Sequence, residues 1–566
     1  MMSNNKIYSW EFALKYTLAL FLSWYIPSYL GFDKPYWSMM TVAIISYPNV
    51  SLSFAKMGAR LIGSLIGVIA VTVIANVSLN DYWWFSSLII LWVSLCLFLS
   101  SISKYMMPYL FSLSGYTSAI IAFGASLAPT PTTIFTLSQE RLIEIMIGIL
   151  VYSLIMKITP HNRIKLQTDE IKKDITHLKT QLLASLVKKN KNQTLNKLNE
   201  IIANVIAYDE FNTYENKFSI VNNPIFPINK INSQITFVII ALANRSILSY
   251  RAYKDFIFTS CKANHENNHR PSYFIFIDWT NAALNMLRLF IGLFISLLFW
   301  LNSGWDYGFV LPILVSISFT FGVSFPKVNM LAFIVMGLSI IAITFSYILK
   351  FYFLIQAESP VQAWLILFPL FLILGLLKSG SKLLFLASHV LSITIIFLIN
   401  FTNPMNYDFL FFANISLGIF LSIIIVILLL FLIPFTSEQT LLKYRYLFTL
   451  NKITDFIKKP QHPTKLNNTI LITINKINAY PNKYNHYLNT LYVLHVLISL
   501  HALMETSEHK NLLLTAMSMM IEKYTTDDII ATISQCSLSS SAQDNEYLRY
   551  AIGSIKYYYS YSQYQS

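Results

Sequence analysis

The chain has 566 residues, 55% of them hydrophobic and only 12% charged, with a formal net charge of +14. Soluble domains hold about twice that share of charged residues, so an ordinary water-soluble globular protein is excluded. The cationic excess fits membrane orientation and binding to anionic membrane lipid; the sequence carries no nucleic-acid motif, and nucleic acid is not an expected partner.

The apolar residues gather in runs of about 20, the length that crosses a bilayer as an α-helix. The ~10-residue alternating segments of a β-barrel are absent. The polar start, Met1 to Ser9, leads into an apolar run from Phe12 that ends without a small-residue cleavage site, so this run reads as an uncleaved first span. The first six spans are expected at about 12–30, 36–48, 57–76, 83–100, 108–127 and 139–158, the second interrupted by Pro48. A polar segment follows to about Asp278. Six further spans are expected at about 283–301, 307–325, 328–349, 361–377, 383–400 and 408–433, before a second polar segment. The expected fold is an all-α integral membrane protein with two repeats of about six transmembrane helices, each followed by a cytoplasmic helical domain. The divisions fall at 1–159, 160–280, 281–434 and 435–566. Two matching halves place a pathway where they meet.

Within the polar segments, Ile164 to Leu186 shows helical spacing, and Lys188 to Lys197 reads as a solvated loop. Ile235–Ala243 and Tyr492–Leu503 are apolar but too short to span, which suits the buried helix of a small bundle. With the N-terminus inside, the inner loops hold Lys56, Arg60, Lys104, Lys327, Lys378 and Lys382 and no acid. The outer loops hold Asp33, Asp81, Asp306, Glu358 and Asp408 against Lys34 and Lys350. This asymmetry places both termini in the cytoplasm and makes the repeat parallel.

Charges inside spans are costly and are therefore functional candidates. Glu140 and Glu144 lie at i and i+4 on one face of the sixth span, with Gly148 a turn further on and Arg141 about 100° round the helix. A carboxylate in a partly apolar surround can take up a proton near neutral pH, which makes Glu144 the first candidate for proton coupling. The competing reading is a Glu–Arg cluster anchoring the outer end of the helix. Arg60 and Lys56 share a face of the third span with Gly63 and Gly67, at its cytoplasmic end. With Lys15 and Arg288 they could form a cationic mouth for carboxylates, against ordinary positive-inside anchoring. Glu144 is expected toward the opposite side of the membrane from Arg60, without an ion pair between them. Tyr116, beside Gly115, could hydrogen-bond or stack on an aromatic acid, or tie helices together. Trp37 and Trp305 are placed near the outer face as anchors. His389 is the lone histidine within a span, a proton carrier or a hydrogen-bonded structural residue. Gly63-x-x-x-Gly67 is a close-packing motif. Cys96, Cys261 and Cys536 fit no metal spacing, and there is no P-loop, zinc cluster or nucleophile elbow. Neither a cofactor nor an enzymatic reaction is expected.

One ordered set of residues runs through the membrane portion. Pro35-Tyr36-Trp37, Pro48, Lys56, Arg60, Gly63 and Gly67 come first, then Gly115-Tyr116-Thr117, Arg141, Glu144 and Gly148. Arg288, Trp300, Gly304-Trp305 and Asn406-Tyr407-Asp408-Phe409 follow. In order and spacing the chain resembles the fusaric acid resistance family of bacterial inner-membrane proteins. The resemblance implies export of small organic anions, above all aromatic carboxylic acids. It further implies, for some members, work with a periplasmic adaptor protein and an outer-membrane channel. The missing nucleotide site and Glu144 point to the proton gradient as the driving force. Related plant malate channels keep an anion channel as the alternative, and a non-transport envelope scaffold is a third reading. A homo-oligomer stays open. Tyr47 stands where the resemblance has a glutamine, and Arg60 and Glu144 have Ala332 and about Asn414 as second-half counterparts. That asymmetry favours one working site, in the first half.

Overall fold

The computed structural model describes residues 10–48, 50–104, 106–126, 129–157, 276–322, 328–461, 463–477, 485–504, 507–534 and 542–556. The stretches Ile164–Leu186, Lys188–Lys197 and Ile235–Ala243 lie outside them. Among the described residues every regular element is helical. The chain forms two compact units, one of Met1–Ile164 with Asp278–Thr436, the other of Lys165–Ile277 with Ser437–Ser566.

Among the described residues the first unit holds twelve α-helices. In chain order they are α1 (Trp10–Tyr29), α2 (Tyr36–Ile45), α3 (Val50–Ser78), α4 (Tyr82–Ile102), α5 (Met107–Gly124) and α6 (Pro131–Lys157). After them come α7 (Trp279–Ser303), α8 (Val310–Gly322), α9 (Val328–Ile348), α10 (Pro360–Lys378), α11 (Lys382–Ile399) and α12 (Phe409–Leu432). Their starts are written in polar side chains that satisfy the orphan amides of the first turn. Asp81 accepts from the amides of Trp83 and Trp84, Asp278 from Asn281, Ser359 from Gln362 and Asp408 from Phe411.

Among the described residues six helical stretches are long and apolar enough to cross a membrane: Ser53–Ser78, Tyr82–Ile102, Trp279–Ser303, Ala332–Gln356, Pro360–Lys378 and Phe409–Leu432. The other expected spans are helices too, but different ones. α2 has 10 residues and rises only about 15 Å, half the hydrocarbon thickness. It stops at Ser46, before Pro48, and the chain resumes as α3 only from Val50. Both α3 and α6 begin nearly two turns before their apolar runs. Thr130 Oγ1 accepts from the amide of Thr133, and Pro131 fills the first helical position, where a proline costs no hydrogen bond.

The contacts between the halves come in matched pairs. α1 packs on α10 and α7 on α4; α2 packs on α11 and α8 on α5. As a result the two largest apolar cores of this unit are shared. One joins Tyr16, Met39 and Tyr152 to Leu367, Phe371 and Ile396; the other joins Ile89, Val93 and Phe123 to Leu293, Val315 and Leu429. Neither half could close its core alone.

Glycines set the closest approaches. A Cβ on Gly63 would stand 2.6 Å from the Leu110 carbonyl oxygen, and one on Gly67 2.6 Å from that of Ser114, so the Gly63–Gly67 stripe seats α3 on α5. Gly148 seats α6 on α2 in the same way, 2.7 Å from the Ser38 oxygen.

The second unit contains α13 (Glu438–Lys458), α14 (Pro463–Ile477), α15 (Asn485–Leu503), α16 (Ser507–Ile521), α17 (Thr526–Ser534) and α18 (Ala542–Ser554). Leu491, Val493, Leu494, Val496, Leu497, Ile498 and Leu500 are all 0% exposed, so α15 is apolar on every side because it is surrounded on every side.

Candidate substrate site

The break after α2 is the chemical centre of the membrane unit. Ser53 Oγ lies against both backbone groups of Tyr47, accepting from its amide at 3.0 Å and donating to its carbonyl at 3.3 Å, and stands 3.3 Å from the Tyr152 hydroxyl. These contacts hold the non-helical turn between α2 and α3, whose backbone groups would otherwise be orphaned inside the bundle.

Lys56 and Arg60 follow on α3, 6% and 1% exposed. Lys56 Nζ donates to the Tyr47 hydroxyl at 3.0 Å and lies 4.7 Å and 4.8 Å from the ring centroids of Tyr47 and Tyr109. Arg60 donates through Nε to Thr41 Oγ1 at 3.3 Å and through Nη1 to the Tyr109 hydroxyl at 3.0 Å. Tyr116 lies within electrostatic reach of both Arg60 and Arg141. Both cations are thus held by hydroxyls and ring faces, and among the described residues neither reaches a carboxylate.

Arg141, Glu144 and Trp37 form the adjoining layer. The Arg141 guanidinium sits 4.0 Å from the Trp37 ring centroid, a cation–π contact. Arg141 and Glu144 are 4% and 1% exposed, whereas Glu140 is half-buried. Both Glu144 carboxylate oxygens are buried and, among the described residues, have no hydrogen-bond partner. Lys34 and Asp33, in the loop before α2, lie within its electrostatic reach. Beside that loop opens a cavity of about 480 Å³, lined by Asp33, Lys34 and Thr402 to Tyr407, where the two halves meet.

Arg60 Nε reaches Thr41 Oγ1, and Gly148, one turn of α6 from Glu144, packs on the same Thr41, whereas Glu144 has Arg141, Glu140, Lys34 and Asp33 within electrostatic reach.

The cationic mouth does not assemble. Lys15 is occupied by Glu11 one turn back. Arg288 is 0% exposed, donating to the Ile433 carbonyl at 2.8 Å and to Asn285 Oδ1 at 2.5 Å, with its guanidinium 4.0 Å from the Phe435 centroid. These contacts tie α7 to the chain after α12, not to α3.

His389, on α11, is 6% exposed and stacks on Phe385 at 5.6 Å; Lys378, Lys56 and Arg60 lie within its electrostatic reach. Two site residues escape a sequence reading. Lys378 reads as a loop lysine but is 0% exposed, and Tyr47 reads as a departure from pattern but is the hydroxyl acceptor of Lys56. In the second half Trp305 Nε1 donates to Asn414 Oδ1 at 2.6 Å. Among the described residues no cluster of three or more histidine, cysteine or carboxylate side chains could hold a metal ion.

The family model of the fusaric acid resistance proteins matches residues 9–215 and 248–466, well over half of the chain. The chain belongs to this family. An uncharacterized transporter, YdhK, of Escherichia coli strain K12 is 34% identical over 151 residues, 27% of this chain and 22% of the relative. Its counterpart in Salmonella typhimurium is 36% identical over the same length. The p-hydroxybenzoic acid efflux pump subunit AaeB of Pectobacterium atrosepticum is 32% identical over 151 residues, 25% of this chain and 22% of that protein. The chain thus spans about a fifth of the length of these family relatives. No solved structure matches.

Proposed function

We propose that the protein is an exporter of small organic anions, chiefly aromatic carboxylic acids, in a bacterial inner membrane with both termini cytoplasmic. The observation that carries this reading is the pair of buried cations, Lys56 and Arg60, held among hydroxyls and aromatic rings with no carboxylate among the described residues to neutralise them. Burying a charge unpaired is costly unless a counter-ion visits. An aromatic acid supplies that counter-ion, and its ring suits the faces of Tyr47, Tyr109 and Tyr116. The guanidinium of Arg60 can take a carboxylate through two parallel hydrogen bonds. The name of the AaeB relatives, p-hydroxybenzoic acid efflux pump subunit, supports the same substrate class.

Glu144, buried and without a hydrogen-bond partner among the described residues, is the group through which the proton gradient would drive the cycle. Glu140 and Arg141 adjoin it, and His389, with Lys378, Lys56 and Arg60 within its electrostatic reach, is a second proton-carrier candidate. A periplasmic adaptor and an outer-membrane channel would complete the export route, and the word subunit in the relatives' name is in keeping with such partners. The test is growth of a deletion strain on a panel of aromatic acids with intracellular acid measured. Accumulation of one or more acids, reversed by the intact gene, is the expected result; equal levels with and without the gene overturn the substrate class. Currents through single molecules that ignore a proton gradient would replace the exporter with a channel.

A further inference from the structure

Lys378 ends α10, the fourth helix of the second half, yet its side chain is spent on the first half. Its Nζ donates to the Ala43 carbonyl oxygen at 2.5 Å and to Ser46 Oγ at 2.9 Å, at the broken end of α2. The same ammonium lies 4.7 Å from the Tyr16 ring centroid and 5.9 Å from that of Phe385. The side chain is 0% exposed, and no carboxylate among the described residues pairs with it.

Capping alone does not call for a lysine here. The last turn of α2 exposes carbonyls that a neutral donor could satisfy, and a hydroxyl is far cheaper to bury than an ammonium. What distinguishes the place is its company. Lys56 is within electrostatic reach of Lys378. Tyr47 stacks on Phe385 at 4.9 Å between centroids, with the Lys56 ammonium against the first ring and the Lys378 ammonium near the second. Ammonium groups from the two halves therefore approach one aromatic pair.

We propose that Lys378 is a substrate-binding residue, the contribution of the second half to the Lys56–Arg60 site. It would exchange the Ala43 carbonyl for the carboxylate of an aromatic acid whose ring lies against Tyr47 and Phe385. The inference rests on the exporter reading above. It also gives the substrate a hold on both halves at once, so that occupancy bears on the contact of α2 with α10 and α11.

The test is uptake of radiolabelled p-hydroxybenzoate by the full-length protein in liposomes, for wild type, Lys378→Gln and Lys378→Arg, with a thermal unfolding midpoint for each. Glutamine keeps a donor for Ala43 and Ser46 but removes the charge. Loss of one charge-assisted hydrogen bond to the carboxylate predicts a KM raised about 10- to 100-fold in Lys378→Gln, with the saturated rate within about threefold of wild type. Lys378→Arg should return KM to within about fivefold. An unchanged KM in Lys378→Gln overturns the proposal and leaves the exporter reading standing. Should Lys378→Gln fail to fold, Lys378→Met is the second neutral variant, and an unchanged KM there overturns the proposal equally. No uptake by wild type overturns both readings.

Discussion

Arg60 shows how a single side chain can be stabilised without being neutralised. Thr41 and Tyr109 accept its hydrogen bonds, yet neither carries charge, so the guanidinium keeps its full attraction for an anion. Arg60→Ala should raise the KM for an aromatic acid about 10- to 100-fold in vesicle uptake, the scale of one lost charge-assisted interaction, while Arg60→Lys recovers part of it. Normal uptake with Arg60→Ala folded in the membrane would remove this residue from the substrate. Glu144 poses the opposite problem, an acid that accepts no hydrogen bond among the described residues although Arg141 lies within electrostatic reach. Glu144→Gln has the same shape and cannot exchange a proton. Its uptake should lose its dependence on an imposed pH gradient while substrate affinity stays within about threefold, because the Arg60 contacts are untouched. A gradient dependence equal to wild type would exclude the coupling role.

At the scale of the helix, what matters is how close α2, α3, α5 and α6 can come. A methyl on Gly148 would press on the Ser38 oxygen at 2.7 Å and on Thr41, which in turn holds Arg60. Gly148→Ala should therefore destabilise the protein by about 1–3 kcal/mol and weaken transport by displacing Thr41. Gly58→Ala, on α3 with nothing within 4 Å of the added carbon, should be neutral or slightly stabilising. A thermal midpoint for each variant separates the two. These helices were legible in the sequence because apolar runs report their own length. Their starts were less so, since hydropathy averages over a window and polar first turns dilute it. The Thr130–Pro131 pair was the readable sign of the early start of α6, a cap followed by a proline. The direction a lysine faces has no such sign. Lys378 sits in the last turn of a helix, where a lysine usually reaches water, and only the packing of α10 on α1, and of α2 on α11, shows where it goes.

For the whole molecule the governing fact is that the two units obey different solvents. In the membrane unit, apolar surface faces outward and charge is gathered inside, whereas the second unit buries its apolar residues in the usual way around α15. That difference gives the second unit its own pH sensitivity. His495, in the middle of α15, is 0% exposed, and burial holds its imidazole down to about 3, against an ordinary value of 6.5. His501, against Phe456, is lowered to about 4, chiefly by burial and then by the charge of Lys510. In the unfolded chain both would take up a proton near the ordinary value. The folded state resists it, so the stabilisation is fully present above pH 6.5 and is lost as pH falls below it toward the folded values. For His495 the loss approaches about 1.4 kcal/mol per pH unit in that window, or about 2 kcal/mol by pH 5. Hydrogen exchange on the full-length protein should therefore show α15 amides losing protection between pH 7 and pH 5, after correction for the intrinsic pH dependence of exchange. α4 in the membrane unit, which carries no histidine, serves as the reference. His495→Leu should remove about half of the slope in α15, the rest belonging to His501. Equal pH dependence in wild type and His495→Leu would show that the imidazole takes up its proton without opening the bundle.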